Sequence, residues 1–225
     1  VTYPGTTQDI GYMGSTIYIH TNRASASFAH TVRYVWGSKS GTIATGVENN
    51  CQWTIPLDLA TEIPNQYSGW GTIYCDTYYG GTFVGTKSVV FKASVPSSTA
   101  PAVTITLERP RSTTPAVTGY VQGVDQLKVT ISATGKYGAT ITSYSSTVDG
   151  AAYSGSTYTT GILTKSGAIR VTATVTDSRG WKTTVSKDIT VQAYTAPAVT
   201  SVSAYRCKSA TDASLNACLL YTSDA

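Results

Sequence analysis

The sequence predicts an all-β chain: two antiparallel β-sandwiches in tandem, followed by the start of a truncated third domain. Three observations carry this. First, a junction is repeated: Thr99-Ala100-Pro101-Ala102-Val103-Thr104 returns as Thr195-Ala196-Pro197-Ala198-Val199-Thr200. Each copy follows a strand-like run, Val89 to Val95 or Ile189 to Tyr194. Each precedes another, Ile105 to Leu107 or Ser201 to Tyr205. Pro101 to Pro197 is 197 − 101 = 96 residues, a sandwich-sized period. Proline suits such a junction because it has no N–H for a sheet ladder and keeps the preceding residue extended. Second, charged residues are only 12% of the chain while Thr, Ser, Gly and Tyr abound, as in polar β-rich surface proteins. Third, apolar and polar residues alternate through most segments, the period of half-buried strands. The expected domains are 1–95, 100–194 and the beginning of a third at 197–225.

Composition also excludes classes. The net charge of +4 comes from 16 scattered Lys and Arg with no cluster to track phosphates, so nucleic acid is not an expected partner. No run approaches the roughly 20 apolar residues of a membrane span. The chain begins with Val1 rather than Met, so the lack of a leader is uninformative. Residues Cys218 to Ala225 read as the translation of a transposase adaptor used in sequencing libraries. The expectation is that Cys218 carries no biology and that the third domain is broken. Cys51, Cys75 and Cys207 include no CxxC pair. Cys51 and Cys75 would pair only if they lay on facing strands, and the reading preferred is two small core residues.

The elements follow in order. Val1 to Gly14 reads as a lead-in or partial strand. Thr16 to His20 alternates, with Ile17 and Ile19 on one face. Phe28 to Trp36 is a long strand that puts Phe28, His30, Val32, Tyr34 and Trp36 on one face. A turn around Gly37 to Gly41 leads to Thr42 to Thr45. Cys51 to Ile55 is a strand with Trp53 and Ile55 sharing a face. Leu57 to Ile63, between Pro56 and Pro64, is the one helical turn. Gly71 to Tyr78 then forms a hairpin with Thr82 to Phe91 through Gly80-Gly81. That makes about seven strands by Val95, the count of an immunoglobulin- or fibronectin-like sandwich.

The second unit repeats the pattern. Val103, Ile105 and Leu107 share a face, as do Leu127, Val129, Ile131 and Ala133. Ile141 to Val148 turns at Asp149-Gly150 into Ala151 to Tyr153. Ile169, Val171, Ala173 and Val175 face inward. The chain reverses at Asp177-Ser178-Arg179-Gly180 and returns along Lys182 to Val191. Lys187 breaks the parity of Val185, Ile189 and Val191, which predicts a bulge or an edge position.

Catalysis needs convergent titratable groups, and the pattern offers few. His20 and His30 have no acidic or cysteine partner at ligand or triad spacing. Asp149 and Asp177 stand at turns, where aspartate bonds its own backbone. Phosphate-loop, HExxH and nucleophile-elbow motifs are missing. The reading is therefore not an enzyme, with no cofactor, no metal and no catalytic residue. The 16 tyrosines and four tryptophans suggest sugar stacking instead. The candidate contacts for carbohydrate or a partner are Tyr67, Trp70, Tyr78 and Tyr79, in or beside loops. The competing reading is that such residues simply cover sheets and interfaces.

Several blocks occur in series: Gly119 to Gly123, Leu127 to Ile131, Tyr144 to Gly150 and Val171 to Gly180. Together with Ile17 to Arg23 and Val32 to Gly37, they resemble a family of siphovirus minor tail structural proteins from phages of Gram-positive bacteria. The likeness covers most of residues 11 to 207. It implies a tail-tip or tail-fibre polypeptide of chained β domains, with other tail proteins as partners and a homo-oligomer in the tail. It implies a virion location after assembly in the host cytoplasm, and possible contact with host-surface glycan. It defines no catalytic residues. A secreted bacterial adhesin or carbohydrate-binding module is the alternative reading.

Overall fold

The computed structural model describes residues 7–110 and 119–202. The fold is all-β. The first half holds β1 (Gln8–Tyr12), β2 (Thr16–His20), β3 (Phe28–Trp36), β4 (Lys39–Val47), β5 (Asn50–Thr54), β6 (Ser68–Tyr79) and β7 (Thr82–Ser94). The second holds β8 (Ala102–Glu108), β9 (Tyr120–Val121), β10 (Gln126–Thr134), β11 (Ile141–Val148), β12 (Ala151–Ser154), β13 (Thr157–Ile162), β14 (Gly167–Asp177) and β15 (Lys182–Gln192). A 3-10 turn spans Leu57–Glu62, and another, Ser97–Thr99, lies in the connector.

The two halves share a sheet plan. In the first, the large sheet runs β1-β7-β6-β3-β4; in the second, β9-β15-β14-β11-β12. Opposite these stand β2-β5 and β8-β10-β13. Most pairs are antiparallel, as expected. The exceptions are β1 on β7 and β9 on β15, which are parallel, so each large sheet is closed at one edge by an early strand lying along the last one.

Each half has its own apolar cluster. Met13, Val32, Trp36, Trp53, Ile55, Leu59, Phe91 and Val95 belong to the first. Leu127, Val129, Ile131, Val171, Val175 and Val191 belong to the second. Alternation explains both, since every second residue of β3, β10 and β14 points into a cluster. In the first, Trp36 stacks on Phe91 with centroids 5.5 Å apart, and Trp53 meets Phe91 edge-on at 5.6 Å. Trp36 Nε1 donates to the Leu59 carbonyl at 3.1 Å, which satisfies its one polar group. Gly69 and Gly71 on β6 leave the space these rings fill. A Cβ on Gly71 would stand 2.5 Å from Phe91 Cζ and 2.7 Å from Trp36 Cε3.

Some expectations need correction. The first hairpin turns at Gly37-Ser38 alone, with Gly37 at φ +56, so β4 begins at Lys39. β6 begins at Ser68, three residues before the expected start, so Trp70 is inside a strand. β13 was not anticipated. Of the two positions expected for Lys187, a bulge or an edge, the edge holds: it pairs with Val171 in unbroken register, and among the described residues β9 covers only Val191 and Gln192. Cys51 and Cys75 are free thiols, as the preferred reading had them, with Cys75 buried and Cys51 half-buried.

The two copies of the repeated junction behave differently. Ala102 to Glu108 forms β8, which pairs with β10, whereas 193–202 carries no strand. Val199 and Val202 are 82% and 79% exposed. A strand needs a ladder partner, and among the described residues none lies beside 193–202. The expected run Ser201 to Tyr205 beyond Val202, Cys207 and the adaptor-like 218–225 lie outside the described residues.

Candidate functional site

The connector between the halves is packed rather than free. Pro96 opens a 3-10 turn in which Thr99 Oγ1 donates to the Pro96 carbonyl at 2.7 Å. Thr99 and Pro101 are buried, and Thr183 Oγ1 donates to the Pro101 carbonyl at 2.7 Å. Lys136 Nζ donates to the Ser98 carbonyl at 3.1 Å.

Beyond the connector, two loops of the second half grip the 3-10 turn of the first. The Asp177–Gly180 reversal places Arg179, only 7% exposed, against that turn. Its Nε donates to Ile63 O at 3.2 Å and its Nη2 to Ala60 O at 2.8 Å. Its Nη1 donates to Lys136 O at 2.9 Å, and Nη2 also to Tyr137 O at 2.5 Å. One guanidinium thus ties carbonyls of both halves, a task that suits its planar fan of donors. Burial pulls its pKa below the usual arginine value, opposed by the charge of Asp177. Asp177 Oδ1 accepts from Arg179 N at 3.0 Å and Trp181 N at 2.9 Å, which sets the reversal.

Smaller contacts complete the grip. Ser178 Oγ donates to Pro64 O at 2.6 Å. Tyr137, held at φ +49, packs against the first half's apolar cluster. The 3-10 turn is braced from its own side, where Glu62 accepts from Ser38 N at 2.9 Å and Ser38 Oγ at 3.0 Å. Sequence reasoning placed the helical turn and the reversal but not their contact. No pattern in Asp177 to Gly180 announces that its arginine reaches back 119 residues.

The candidate aromatic residues separate into two places. Tyr67 stands at the junction: its ring lies 5.5 Å from Trp181, and its hydroxyl is 3.1 Å from that of Tyr12. Trp70, 59% exposed, lies on the outer face of β6 opposite Lys92 of β7. Tyr78 and Tyr79 lie at the far end of β6, eight or more residues on, roughly 27 Å along an extended strand. There Tyr78 meets Phe83 edge-on at 5.8 Å and Tyr79 meets Phe28 at 6.1 Å. Tyr79, Phe83 and Val84 are all more than half exposed beside the Gly80-Gly81 turn. Tyr78 and Tyr79 are chain neighbours on opposite faces of β6, each with its own aromatic partner, and neither is brought together with Tyr67 or Trp70.

Between these ends, the outer face of the first large sheet is polar as well as aromatic. Arg33 Nε donates to Asp76 Oδ2 at 2.7 Å while its guanidinium lies 4.2 Å from the centre of the Tyr74 ring. Thr86 Oγ1 donates to Asp76 Oδ1 at 2.6 Å. The Arg33 bond is the main reason Asp76 sits below the usual carboxylate pKa. His30 is buried, its Nδ1 3.1 Å from Thr77 Oγ1; burial, then Arg23, pushes its pKa down. Among the described residues no group of three or more His, Cys, Asp or Glu stands close enough to hold a metal ion, and no helix is long and apolar enough to cross a membrane.

No curated protein shows significant similarity to the chain. Among solved structures, it is similar to fibronectin(III)-like modules of Clostridium thermocellum CbhA, at 16% identity and TM-score 0.34, covering 84% of this chain and 93% of that one. It is similar to the amphioxus IgVJ-C2 molecule, at 13% identity and TM-score 0.38, covering 80% and 99%. It is also similar to a 1.5-MDa bacterial ice-binding adhesin, at 12% identity and TM-score 0.34, covering 83% of this chain and 60% of that one. The family described as Siphovirus protein of unknown function (DUF859) matches residues 5–217, nearly the full length, and the chain belongs to that family.

Proposed function

We propose that the chain is a structural component of a siphovirus tail, in its tip or a fibre, and performs no catalysis. Its halves act as consecutive sandwich domains, 1–95 and 100–194, that space and dock other tail proteins. The observation that carries this is the Arg179 contact. Four main-chain carbonyls from two halves converge on one buried guanidinium. Such a joint keeps the two bodies in line and transmits position along a chain, which a spacer requires. Membership of a siphovirus family supports a virion location with tail proteins as partners; assembly in the host cytoplasm and a homo-oligomeric arrangement complete the reading. Mass spectrometry of purified particles, with gold-labelled antibody against this chain, tests the reading. Recovery in virions with label at the tail is expected; absence from particles that are otherwise complete overturns it.

A second reading, attachment to host-surface glycan, is favoured by the exposure of Trp70 and Tyr79, at 59% and 57%. Flat aromatic faces held open to solvent suit the apolar side of a sugar ring. Their separation makes them two contacts rather than one pocket. A secreted adhesin would use the same surfaces, and tail genes beside the coding sequence distinguish the phage protein from it.

A further inference from the structure

The two large sheets share a strand order but not an outer face. β6 and β14 are the middle strands of β1-β7-β6-β3-β4 and β9-β15-β14-β11-β12. Along each, alternation sends every second side chain away from the core. On β14 the outward column is Arg170, Thr172, Thr174 and Thr176. It carries no aromatic ring and satisfies itself. The Thr172 and Thr174 hydroxyls lie 3.0 and 2.8 Å from those of Ser186 and Thr184, and Arg170 Nε donates to Asp188 at 2.9 Å. On β6 the same column is Trp70, Thr72, Tyr74, Asp76 and Tyr78. Building the sheet does not require outward rings, since the second half does without them, yet the first half has three.

The three rings stand four residues apart, about 13 Å from one to the next along an extended strand. The space between them is polar and fixed. Arg33 of β3, opposite Tyr74, lies over that ring with its guanidinium 4.2 Å from the centroid. Its Nε donates to Asp76 Oδ2 at 2.7 Å, and Thr86 Oγ1 donates to Asp76 Oδ1 at 2.6 Å. Asp76 is only 8% exposed, so this cluster is built into the sheet. At the end away from the joint, Tyr78 stands opposite the small Ala29. Among the described residues a hollow of about 280 Å³ opens beside it, lined also by Thr31, Gly46 and Gly80.

The charges of this face cancel. Arg33 pairs with Asp76, and Lys92, opposite Trp70, lies 3.6 Å from Asp9. Such a face has no field to hold a polyanion. Rings set apart by hydrogen-bonding groups do not make the contiguous apolar patch of a protein interface. They match an uncharged chain that presents flat apolar ring faces and hydroxyl edges in turn along its length.

We propose that the outer face of the first large sheet binds a linear, uncharged polysaccharide laid along β6. Trp70 and Tyr78 stack on sugar rings toward the two ends of the track. Between them, the side of the Arg33 guanidinium that Asp76 does not occupy donates to sugar hydroxyls. Tyr74 is a positioning residue that holds the guanidinium flat. This rests on the glycan reading and narrows it. The ligand is a chain several rings long, and Tyr79, on the opposite face of β6, lies outside the track.

An array of linear bacterial-wall and plant polysaccharides, neutral and acidic, reads the ligand class. Calorimetric titration with graded oligosaccharides of the best binder reads the track. Uncharged chains are expected to bind, with an affinity that rises with chain length and holds steady from roughly 0.05 to 0.5 M salt. Trp70→Ala and Tyr78→Ala are each expected to weaken the long chain about tenfold, and to shorten the length at which affinity stops rising. Thr174→Ala, on the ring-free face of the second half, is expected to change nothing. Thermal melts check that each variant is folded. Glycan binding that both ring variants keep at full strength overturns the track and leaves the glycan reading standing. An array with no bound glycan overturns both. A preference for acidic chains with steep loss in salt overturns the proposal, as does capture of a tail protein through Trp70 by a chain that binds no glycan.

Discussion

Arg179, in the last reversal of the second half, donates from Nη2 to the carbonyl of Ala60, in the 3-10 turn of the first, at 2.8 Å. The bond spans 119 residues of sequence and is one of four to main-chain oxygens. Arg179→Ala leaves buried acceptors unpaired, at a cost of about 2–4 kcal/mol. Chemical denaturation is expected to separate into two transitions as the halves lose their coupling, and small-angle scattering to show a wider spread of shapes. Arg179→Lys does not rescue, because one ammonium has no planar fan to reach both sides. A single unshifted transition in Arg179→Ala would sink the joint.

Gly71 gives the sharpest packing prediction. Its φ is ordinary, so the constraint is space: a Cβ would lie 2.5 Å from Phe91 and 2.7 Å from Trp36, rings fixed on both sides. Gly71→Ala is expected to destabilise by about 1–3 kcal/mol, measured by urea unfolding. Gly85, which has open space at its Cβ, is the control and should change little on the same substitution.

Acidification should act in two stages of the same sign. His30 has a folded pKa below its ordinary 6.5 because burial disfavours the charged ring. The unfolded chain therefore binds the proton first, and stability falls as pH drops below 6.5 toward the folded value. Asp76 has a folded pKa below its ordinary 3.8, held down chiefly by Arg33. Its contribution is full above 3.8 and is lost as pH falls through the folded value. Melting temperature against pH checks both. His30→Gln should remove the first decline, and Asp76→Asn the second.

Trp70→Ala and Tyr79→Ala concern surfaces rather than the fold. Both side chains are more than half exposed, so each should move stability by no more than about 0.5 kcal/mol. On cell or glycan arrays their effects should add, since the sites lie at opposite ends of β6 and share no neighbour. Loss of all binding with either one alone would show a single site that this geometry does not contain.

Much of the fold was legible because alternation is a strong local signal. Phe28–Trp36 and Ile141–Val148 emerge with the bounds their patterns predict, and Asp149-Gly150 turns with both φ values positive, +48 and +85. The errors have physical causes. The pattern starts the strand at Gly71 and leaves Gly69 outside it, yet both glycines belong to β6 and are small because Trp36 and Phe91 lie across it. Trp70, expected in or beside a loop, therefore lies inside the strand. β13, Thr157–Ile162, has mostly polar residues and a glycine, and is held by its pairing with β10 rather than by its own pattern. The Arg179 contact depends on chain partners far away in sequence, which no local window contains.

The parallel edge pairs, β1 on β7 and β9 on β15, bear on what happens when the molecule is stretched. Each joins an early strand to the last strand of the same half, side by side and pointing the same way. In the first half, where β1 is the first described strand and β7 the last, tension between the ends therefore slides β1 and β7 lengthwise against one another. Their cross-links must give way together rather than one at a time, as in a torn seam. A filament built from such pieces would resist sudden load at its thinnest point, where only a few bonds hold each clasp shut.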